Sequence, residues 1–357
     1  MPTMPMPQRT VPKRIAVVLF NLGGPDAPDA IRPFLFNLFY DPSIIGLPTP
    51  LRFLLASFIA MRREKPAREI YGMIGGKSPL LENTQAQAAA LDAVLNAEGG
   101  GEVRSFIAMR YWHPMSTETA AAVKEFAPDL VILLPLYPQW STTTSASSLR
   151  VWREAAETVG LKAETRVVCC YPTEPGFIAA SADLIRPAYE EASRHGTPRV
   201  LFSAHGLPKR VIAGGDPYQW QCERTAEAIA AALDIPGLDW VNCYQSRVGP
   251  LEWIGPSTDA EIRRAGQDKV PILVVPMAFV SEHSETLVEI EIEYRHLAQH
   301  EGVPHFARVP TVGASPKFIE GLARLVRQSI GCDRFMCSQT EGRLCPSGFP
   351  GCPQRTT

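Results

Sequence analysis

The chain has 357 residues, a hydrophobic content of 45% and a formal net charge of −2. This length allows two globular domains, and the near-neutral charge argues against nucleic acid as the main partner. The first 14 residues contain no apolar stretch typical of a secretory signal. No run of about 20 residues is free of both charge and proline. We therefore expect a cytoplasmic protein without a membrane span.

Four strand-and-turn units occur twice along the chain, in the same order. Each apolar run ends in a glycine or proline turn and is followed by a helical pattern, which is typical of parallel sheets covered by helices. The duplication predicts two four-stranded lobes that face each other across a cleft. The first set of runs lies at residues 14–25, 105–114, 130–138 and 166–178, and the second at 199–208, 239–250, 272–279 and 305–319.

These units predict the boundaries of the domains. The N-terminal lobe is expected at residues 13–172 and the C-terminal lobe at 173–315. A last helix is expected at 316–331, followed by a cysteine-rich tail at 332–357. Residues 31–78 have no counterpart in the second half. They are predicted to be an insertion, which is where specificity or partner contacts are often added.

The insertion contains an apolar helical pattern at residues 51–61, followed at once by Arg62, Arg63 and Lys65. A short apolar helix flanked by basic residues can lie on a bilayer surface beside anionic headgroups. An ordinary core helix fits the same pattern. The insertion is therefore a candidate for peripheral contact with the inner face of a membrane.

An acidic segment follows the buried strand pattern at residues 272–275. Glu282, Glu285, Glu289 and Glu293 are spaced by three, four and four residues, which places them on one face of an α-helix. Like charges at this spacing are unfavourable by roughly 0.2–0.5 kcal/mol per pair, unless a cation or protons lie among them. A solvated acidic face is the alternative. The position favours a site, because open α/β sheets hold ligands beyond the carboxyl ends of their strands.

His205 ends the first strand pattern of the second half and is followed by Gly206 and Pro208. A histidine in this place is presented to the cleft. With an ordinary pKa of about 6.5 it can accept a proton or bind a metal at neutral pH. The corresponding turn of the first half, at residues 21–25, lacks the G-x-G-x-x-G spacing of a dinucleotide site, and Pro25 removes a backbone donor.

Four of the eight cysteines lie in the tail, with the spacing C-x4-C-x7-C-x6-C. In a reducing compartment, clustered thiols indicate a metal site more than disulfides. A [2Fe–2S] cluster needs four thiolates and tolerates varied spacing, whereas the absence of a C-x2-C pair weakens a zinc site. Zinc and free thiols remain alternatives. The tail cysteines are Cys332, Cys337, Cys345 and Cys352; Cys169, Cys170, Cys222 and Cys243 are predicted to be packing residues.

Six strings of the chain resemble the signatures of the ferrochelatases. They are Leu-Phe-Ser-Ala-His-Gly-Leu-Pro at 201–208, Ser-Arg-Val-Gly-Pro-Leu-Glu-Trp-Ile-Gly-Pro at 246–256, Phe-Val-Ser-Glu-His-Ser-Glu-Thr-Leu at 279–287, Asn-Leu-Gly-Gly-Pro at 21–25, Tyr-Gly-Met-Ile-Gly-Gly-Lys-Ser-Pro at 71–79 and Met-Arg-Tyr-Trp-His-Pro at 109–114. The resemblance runs from about residue 14 to residue 331. It implies two Rossmann-like lobes with a porphyrin between them. It also implies insertion of ferrous iron into that porphyrin in the last step of haem synthesis.

The resemblance also implies roles for individual residues. His205 takes a pyrrole proton, Glu285 is its acidic companion, and His283 belongs to the hydrogen-bonded shell around them. Glu289 and Glu293 continue the acidic line, which guides the metal or removes protons. Porphyrin contacts are implied at Leu22, Arg63, Tyr71, Ser78, Arg110, Tyr111, Ser246, Trp253 and Phe279.

Two positions depart from the family pattern. Leu22 stands where other members often carry Met or Tyr, and Lys77 replaces a common glycine.

The resemblance also bears on cofactor and substrates. Some ferrochelatases carry a [2Fe–2S] cluster at the C-terminal end of the chain, although animal members take one ligand from inside the chain. The expected substrates are protoporphyrin IX and Fe2+. A coproporphyrin ferrochelatase and a non-catalytic tetrapyrrole or iron carrier are the alternatives, and a homodimer is left open.

Overall fold

The computed structural model describes residues 12–97, 99, 101–247, 249 and 251–354. Residues 1–11, on which most of the expected absence of a secretory signal rests, lie outside this part, as do Val248 and Pro250 of the 246–256 string and the last three residues of the tail. The N-terminal lobe contains strands β1 (Arg14–Asn21), β2 (Glu102–Met109), β3 (Leu130–Pro135) and β4 (Glu164–Val168). Its helices are α1 (Ile31–Phe39), α2 (Thr49–Gly72), α3 (Leu80–Ala97), α4 (Ser116–Phe126) and α5 (Ser145–Val159).

The C-terminal lobe repeats this alternation of strands and helices. Its strands are β5 (Arg199–His205), β6 (Asp239–Gln245), β7 (Ile272–Pro276) and β8 (Phe306–Arg308). Its helices are α6 (Pro175–Ala192), a 3-10 turn (Ser193–His195), α7 (Lys209–Ala213), α8 (Tyr218–Leu233), α9 (Thr258–Asp268), a π-helix (Glu285–Tyr294) and α10 (Arg295–His300). Helix α11 (Pro316–Gly331) and the two-residue strand β9 (Met336–Cys337) follow.

The two sheets have the same strand order, which confirms the duplication. Strands lie in the order β2-β1-β3-β4 in the first lobe and β6-β5-β7-β8 in the second, and every pairing is parallel. The prediction of four strands per lobe is wrong for the first, where β9 pairs with β4 as a fifth strand. The tail is therefore part of the N-terminal sheet. The amide of Cys169 donates to the carbonyl of Cys337 at 2.8 Å, which fixes the register.

The central strands are apolar and buried because helices cover both faces of each sheet. All six residues of β3 and all five of β7 are buried. One hydrophobic core runs from β1 and β3 through α6 and α11 into β5 and β7, so the two lobes share it. This continuous core fixes the carboxyl ends of the two sheets relative to each other.

The insertion forms helices α1 and α2, which pack against each other. Helix α2 is longer than the predicted 51–61 segment and continues through Pro66. Leu51, Phe53, Leu54, Phe58 and Met61 are each more than half exposed, so this segment is not an ordinary core helix. None of the helices in the described part of the chain has the length and hydropathy needed to cross a bilayer.

Candidate active site

His205 and Glu285 form a hydrogen-bonded pair at the carboxyl end of the second sheet. His205 is the last residue of β5, and Glu285 is the first residue of the π-helix. The distance from His205 Nδ1 to Glu285 Oε2 is 2.9 Å. The side chain of His205 is 39% exposed and that of Glu285 is 26% exposed, so the pair is reachable from the cleft. The predicted convergence of these two residues is confirmed.

The pair favours an imidazolium beside a carboxylate. Burial opposes the charge on His205, but the Glu285 carboxylate outweighs it and raises the pKa of His205 above its usual value. Burial likewise opposes ionisation of Glu285, yet the charge of His205 and its hydrogen bond lower the pKa of Glu285 to about 2. His283 lies close by, with its Nε2 4.0 Å from Glu285 Oε2. A proton taken up by His205 is thus stabilised in place.

Glu289 is the second acidic group of the site. Its Oε1 accepts from the amide of Ser246 at 2.8 Å and from the hydroxyl of Tyr294 at 3.0 Å. Its Oε2 accepts from the hydroxyl of Ser246 at 2.5 Å, and the same hydroxyl lies 3.3 Å from Glu285 Oε2. Burial and the neighbouring charge of Glu285 raise the pKa of Glu289. Two carboxylates with opposite pKa shifts therefore share one serine hydroxyl.

The expected single acidic stripe is wrong at its first residue. Glu282 precedes the helix and forms a salt bridge with Arg308 at 2.8 Å, so its charge is neutralised away from His205. Glu293 is exposed to solvent. The salt bridge to Arg308 and the hydrogen bond from the amide of Thr311 hold Glu282 there, whereas the π-helix (Glu285–Tyr294) contains the other three glutamates of the stripe. Only Glu285 and Glu289 of the stripe meet at His205.

The insertion reaches the site through Tyr71. Burial raises the pKa of Tyr71 to about 12, and the side chain of Ser284, directly before Glu285, counteracts part of this rise. Tyr71 packs in one apolar cluster with Leu22 and Tyr111, at the carboxyl ends of the first sheet. The predicted contacts Tyr71, Leu22 and Tyr111 are thus brought together across from His205.

The other predicted porphyrin contacts lie at varied distances from the pair. Phe279 packs on His283, with ring centres 4.7 Å apart. Trp253 is half-buried beside Gly206, and its indole Nε1 has no hydrogen-bond partner among the described residues. Ser78 is buried in a turn in which its amide donates to the carbonyl of Pro25 at 2.7 Å.

Arg63 and Arg110 have partners outside the His205 pair. Arg63 is exposed on α2, 5.7 Å from the ring centre of Phe39. The guanidinium of Arg110 donates to Asp41 Oδ2 at 2.6 Å, and the hydroxyl of Tyr111 donates to the same oxygen at 2.8 Å. The sequence did not single out Asp41, since an isolated acid in an insertion forms no pattern.

The tail cysteines form two pairs. The thiols of Cys332 and Cys337 both donate to the carbonyl of Arg334, at 3.7 and 3.5 Å, and Cys345 and Cys352 shift each other's pKa. The interaction with the Cys345 thiol lowers the pKa of Cys352 to about 6. Within the described residues, no group of three or more His, Cys, Asp or Glu side chains is assembled to hold a metal ion. The cluster therefore stays a prediction.

Two cysteines that the sequence assigned to packing lie beside the second tail pair. The thiols of Cys169 and Cys170 are 3.4 Å apart and buried. Cys169 interacts electrostatically with Cys345 and Cys352, and Cys345 with Cys170. The thiols of Cys169 and Cys170 thus interact electrostatically with the second tail pair, which the linear spacing could not reveal.

Comparisons with known proteins agree with this geometry. A sequence model of the ferrochelatase family matches residues 14–330. The chain is 54% identical to a ferrochelatase of Caulobacter vibrioides over 344 residues, covering 96% of this chain and 98% of the relative. It is 51% identical to a ferrochelatase of Phenylobacterium zucineum over 343 residues, covering 96% of this chain and 98% of the relative.

Among solved structures, the fold is similar to that of SirB from Bacillus subtilis with Fe3+. The TM-score is 0.51 at 12% sequence identity, covering 89% of this chain and 96% of SirB. At this identity the likeness concerns the fold alone, and it agrees with two parallel sheets flanked by helices. By the match of the family and the identity to these relatives, the chain belongs to the ferrochelatase family.

Proposed function

We propose that this protein inserts Fe2+ into protoporphyrin IX to give protohaem, with release of two protons. The observation that carries the proposal is the hydrogen-bonded His205–Glu285 pair at the cleft. The hydroxyl of Ser246 connects this pair to Glu289. Insertion of a dication into a porphyrin must remove two N–H protons, and it needs proton acceptors next to the macrocycle. A protein that only carried a tetrapyrrole or iron would need neither His205 nor Glu285 as a proton acceptor.

The geometry supports a division of roles in proton removal. Neutral His205 accepts a pyrrole proton, and Glu285, ionised above a pKa of about 2, stabilises the imidazolium that forms. Glu289, whose pKa is raised, can hold a proton and pass it to solvent. The hydroxyl of Ser246 lies 2.5 Å from Glu289 Oε2 and 3.3 Å from Glu285 Oε2, so its single proton can be shared between the two carboxylates. These carboxylates also lower the cost of holding a cation on its way to the ring.

The test is a pair of substitutions at the hydrogen-bonded pair. His205→Ala and Glu285→Gln should abolish ferrous insertion while porphyrin binding, followed by fluorescence quenching, is retained. Glu252→Gln is the matched control, because it makes the same change at an exposed ion pair. The side chain of Glu252 is 83% exposed, and its Oε2 lies 3.8 Å from Lys209 Nζ. Full activity in either variant of the pair would refute the assignment. Binding of porphyrin by the wild type without turnover would favour a carrier.

The choice of porphyrin rests on the exposed apolar face of α2. Leu51, Phe53, Leu54, Phe58 and Met61 present a surface suited to an apolar substrate and to the acyl boundary of a bilayer. Arg52, Arg62, Arg63 and Lys65 on the same helix suit anionic headgroups. Peripheral contact at the cytoplasmic face is part of the proposal. Ferrous insertion into protoporphyrin and coproporphyrin, measured side by side, decides the substrate, and faster turnover of coproporphyrin would contradict the proposed one.

The tail is proposed to hold a [2Fe–2S] cluster. The donor set fits in chemistry: thiolates are the ligands of such clusters, and Cys352 has a pKa lowered to about 6. Cys345 and Cys352 would be two of the ligands. Cys332 and Cys337 would complete the predicted tail set, whereas Cys169 or Cys170 is the alternative that the packing suggests. The cluster would supply a redox-active iron centre at the junction of the tail with the first sheet.

Visible absorption and metal analysis test this second proposal. The purified protein should be brown and contain iron beyond any bound substrate, whereas a colourless protein with stoichiometric zinc would contradict a cluster. Cys345→Ser and Cys352→Ser should remove the absorption. Cys222→Ser is the control, since Cys222 is buried in α8. Comparison of Cys332→Ser with Cys170→Ser decides between the two ligand sets.

A further inference from the structure

Asp41 is a fully enclosed acidic group on the N-terminal side of the cleft. It lies in the insertion just after α1, and its side chain is 0% exposed. Its Oδ1 accepts from the amide of Ser43 at 2.8 Å, which closes a local turn. Its Oδ2 accepts from the guanidinium of Arg110, the hydroxyl of Tyr111 and the hydroxyl of Ser147, the last at 2.8 Å.

The partners of Asp41 come from three parts of the fold. Arg110 and Tyr111 directly follow β2, and their amides donate to the carbonyls of Asn21 and Leu22 at the end of β1. Ser147 lies in the first turn of α5 and also accepts from Arg110 Nε at 2.9 Å. The carboxylate therefore joins the insertion to the carboxyl edge of the first sheet.

The polar ends of Arg110 and Tyr111 are occupied by this carboxylate. Arg110 is only 13% exposed, and Tyr111 is 2% exposed. Burial opposes ionisation of Asp41, yet the adjacent Arg110 and the hydrogen bonds from Ser43, Tyr111 and Ser147 hold its pKa below the usual value. The carboxylate is thus charged at neutral pH and compensates the nearest cation.

Arg110 is linked to the site through its neighbour Tyr111. Tyr111 packs in the same apolar cluster as Tyr71, and the side chains of Ser284 and Glu285 both act on the pKa of Tyr71. An uncompensated guanidinium in this wall would repel an approaching dication, since charges in a partly buried cleft are weakly screened.

We propose that Asp41 is a positioning residue for metal insertion. Its carboxylate holds the polar ends of Arg110 and Tyr111 and cancels the charge of Arg110, so that the N-terminal side of the cleft accepts Fe2+. This inference rests on the proposed ferrous insertion. It adds to that reaction a residue that contacts neither of the predicted proton acceptors.

The test separates charge compensation from a structural role. Asp41→Asn keeps the shape of the side chain and removes its charge. Arg110 then has no carboxylate partner at this position, and neither has Arg150, whose Nη2 lies 3.4 Å from Asp41 Oδ1. The KM for Fe2+ should rise about tenfold or more, with a smaller change in the KM for porphyrin. Removing Arg110 as well, in Asp41→Asn/Arg110→Gln, leaves only Arg150, whose Nη1 also lies 3.5 Å from Glu154 Oε1. The KM for Fe2+ should then return to within about twofold of Arg110→Gln alone.

Asp183→Asn is the matched control, because Asp183 is 51% exposed in α6 and pairs with Lys317 at 2.5 Å. An unchanged KM for Fe2+ in Asp41→Asn, or a double variant no better than Asp41→Asn, would overturn the proposal. If Asp41→Asn does not fold, the comparison of the double variant with Arg110→Gln decides. A higher KM for Fe2+ in the double variant would contradict charge compensation. Absence of turnover in the wild type with any porphyrin would refute the proposed function instead.

Discussion

Replacing Glu285 by Gln removes one charge from the centre of the candidate site and keeps the shape of the side chain. His205 Nδ1, 2.9 Å away, would then face an amide oxygen or amide nitrogen instead of a carboxylate. Burial of His205 persists, so its pKa is expected to fall below the wild-type value. The substitution therefore changes both proton affinity and stability.

The magnitude follows from the pKa of Glu285. A decrease from the ordinary 4.5 to about 2 corresponds to about 3 kcal/mol, at 1.36 kcal/mol per unit. His205 is 39% exposed, so water screens part of the interaction, and about 1–2 kcal/mol is expected in the free energy of unfolding. The lowered pKa of Glu285 stabilises the fold above about pH 4.5, and this contribution disappears as the pH falls toward 2. The raised pKa of His205 stabilises it below about pH 6.5, and this contribution disappears as the pH rises through the folded value.

Between about pH 4.5 and pH 6.5 both contributions are present, so the stability of the pair can be measured by unfolding in this range. Urea unfolding of wild type and Glu285→Gln should differ by about 1–2 kcal/mol at pH 6 and by clearly less at pH 9, where His205 is neutral in both states. NMR titration of His205 should give a lower pKa in the variant. Equal stability differences at the two pH values, or an unchanged pKa of His205, would show that the pair is not electrostatically coupled.

Three further predictions concern the pH profile, the apolar face of α2 and the tail. Because His205 must be neutral to accept a proton and its pKa is raised, kcat/KM should increase with pH through a midpoint above about 6.5; a midpoint below 6 would contradict this. Leu54→Gln/Phe58→Gln should weaken binding to anionic vesicles in a flotation assay, whereas Met73→Gln, exposed beyond the end of α2, should not. Gly215→Ala should lower Tm more than Gly237→Ala. Both have positive φ, but only the new Cβ at Gly215 would meet Pro350 of the tail, at 2.4 Å. An equal decrease of Tm in the two variants would show that the tail does not pack closely against Gly215.

The duplication was readable from the sequence because each buried strand is a continuous apolar run between glycine and proline turns. The same regularity predicted that His205 and Glu285 lie at neighbouring strand ends. Strand β9 was missed, since two residues carry no periodic signal and Met336 and Cys337 pair only because the tail docks on β4. Asp41 was missed for a similar reason. Its importance comes from Arg110 and Tyr111, 69 and 70 residues away in the chain.

The π-helix is the most informative of the differences between prediction and structure. Spacings of three and four residues predict an α-helix, and the chain instead adopts a form that is rare beyond a single turn. At the same place Ser246 has a φ of +61°, a region that non-glycine residues seldom adopt. The two irregularities meet at Glu289, which accepts from both the amide and the hydroxyl of Ser246. An α-helix would also place Glu285 and Glu289 on one face, but the amide and hydroxyl of Ser246 reach Glu289 from a backbone with positive φ. The strained residue therefore lies at the contact that joins the two carboxylates beside His205.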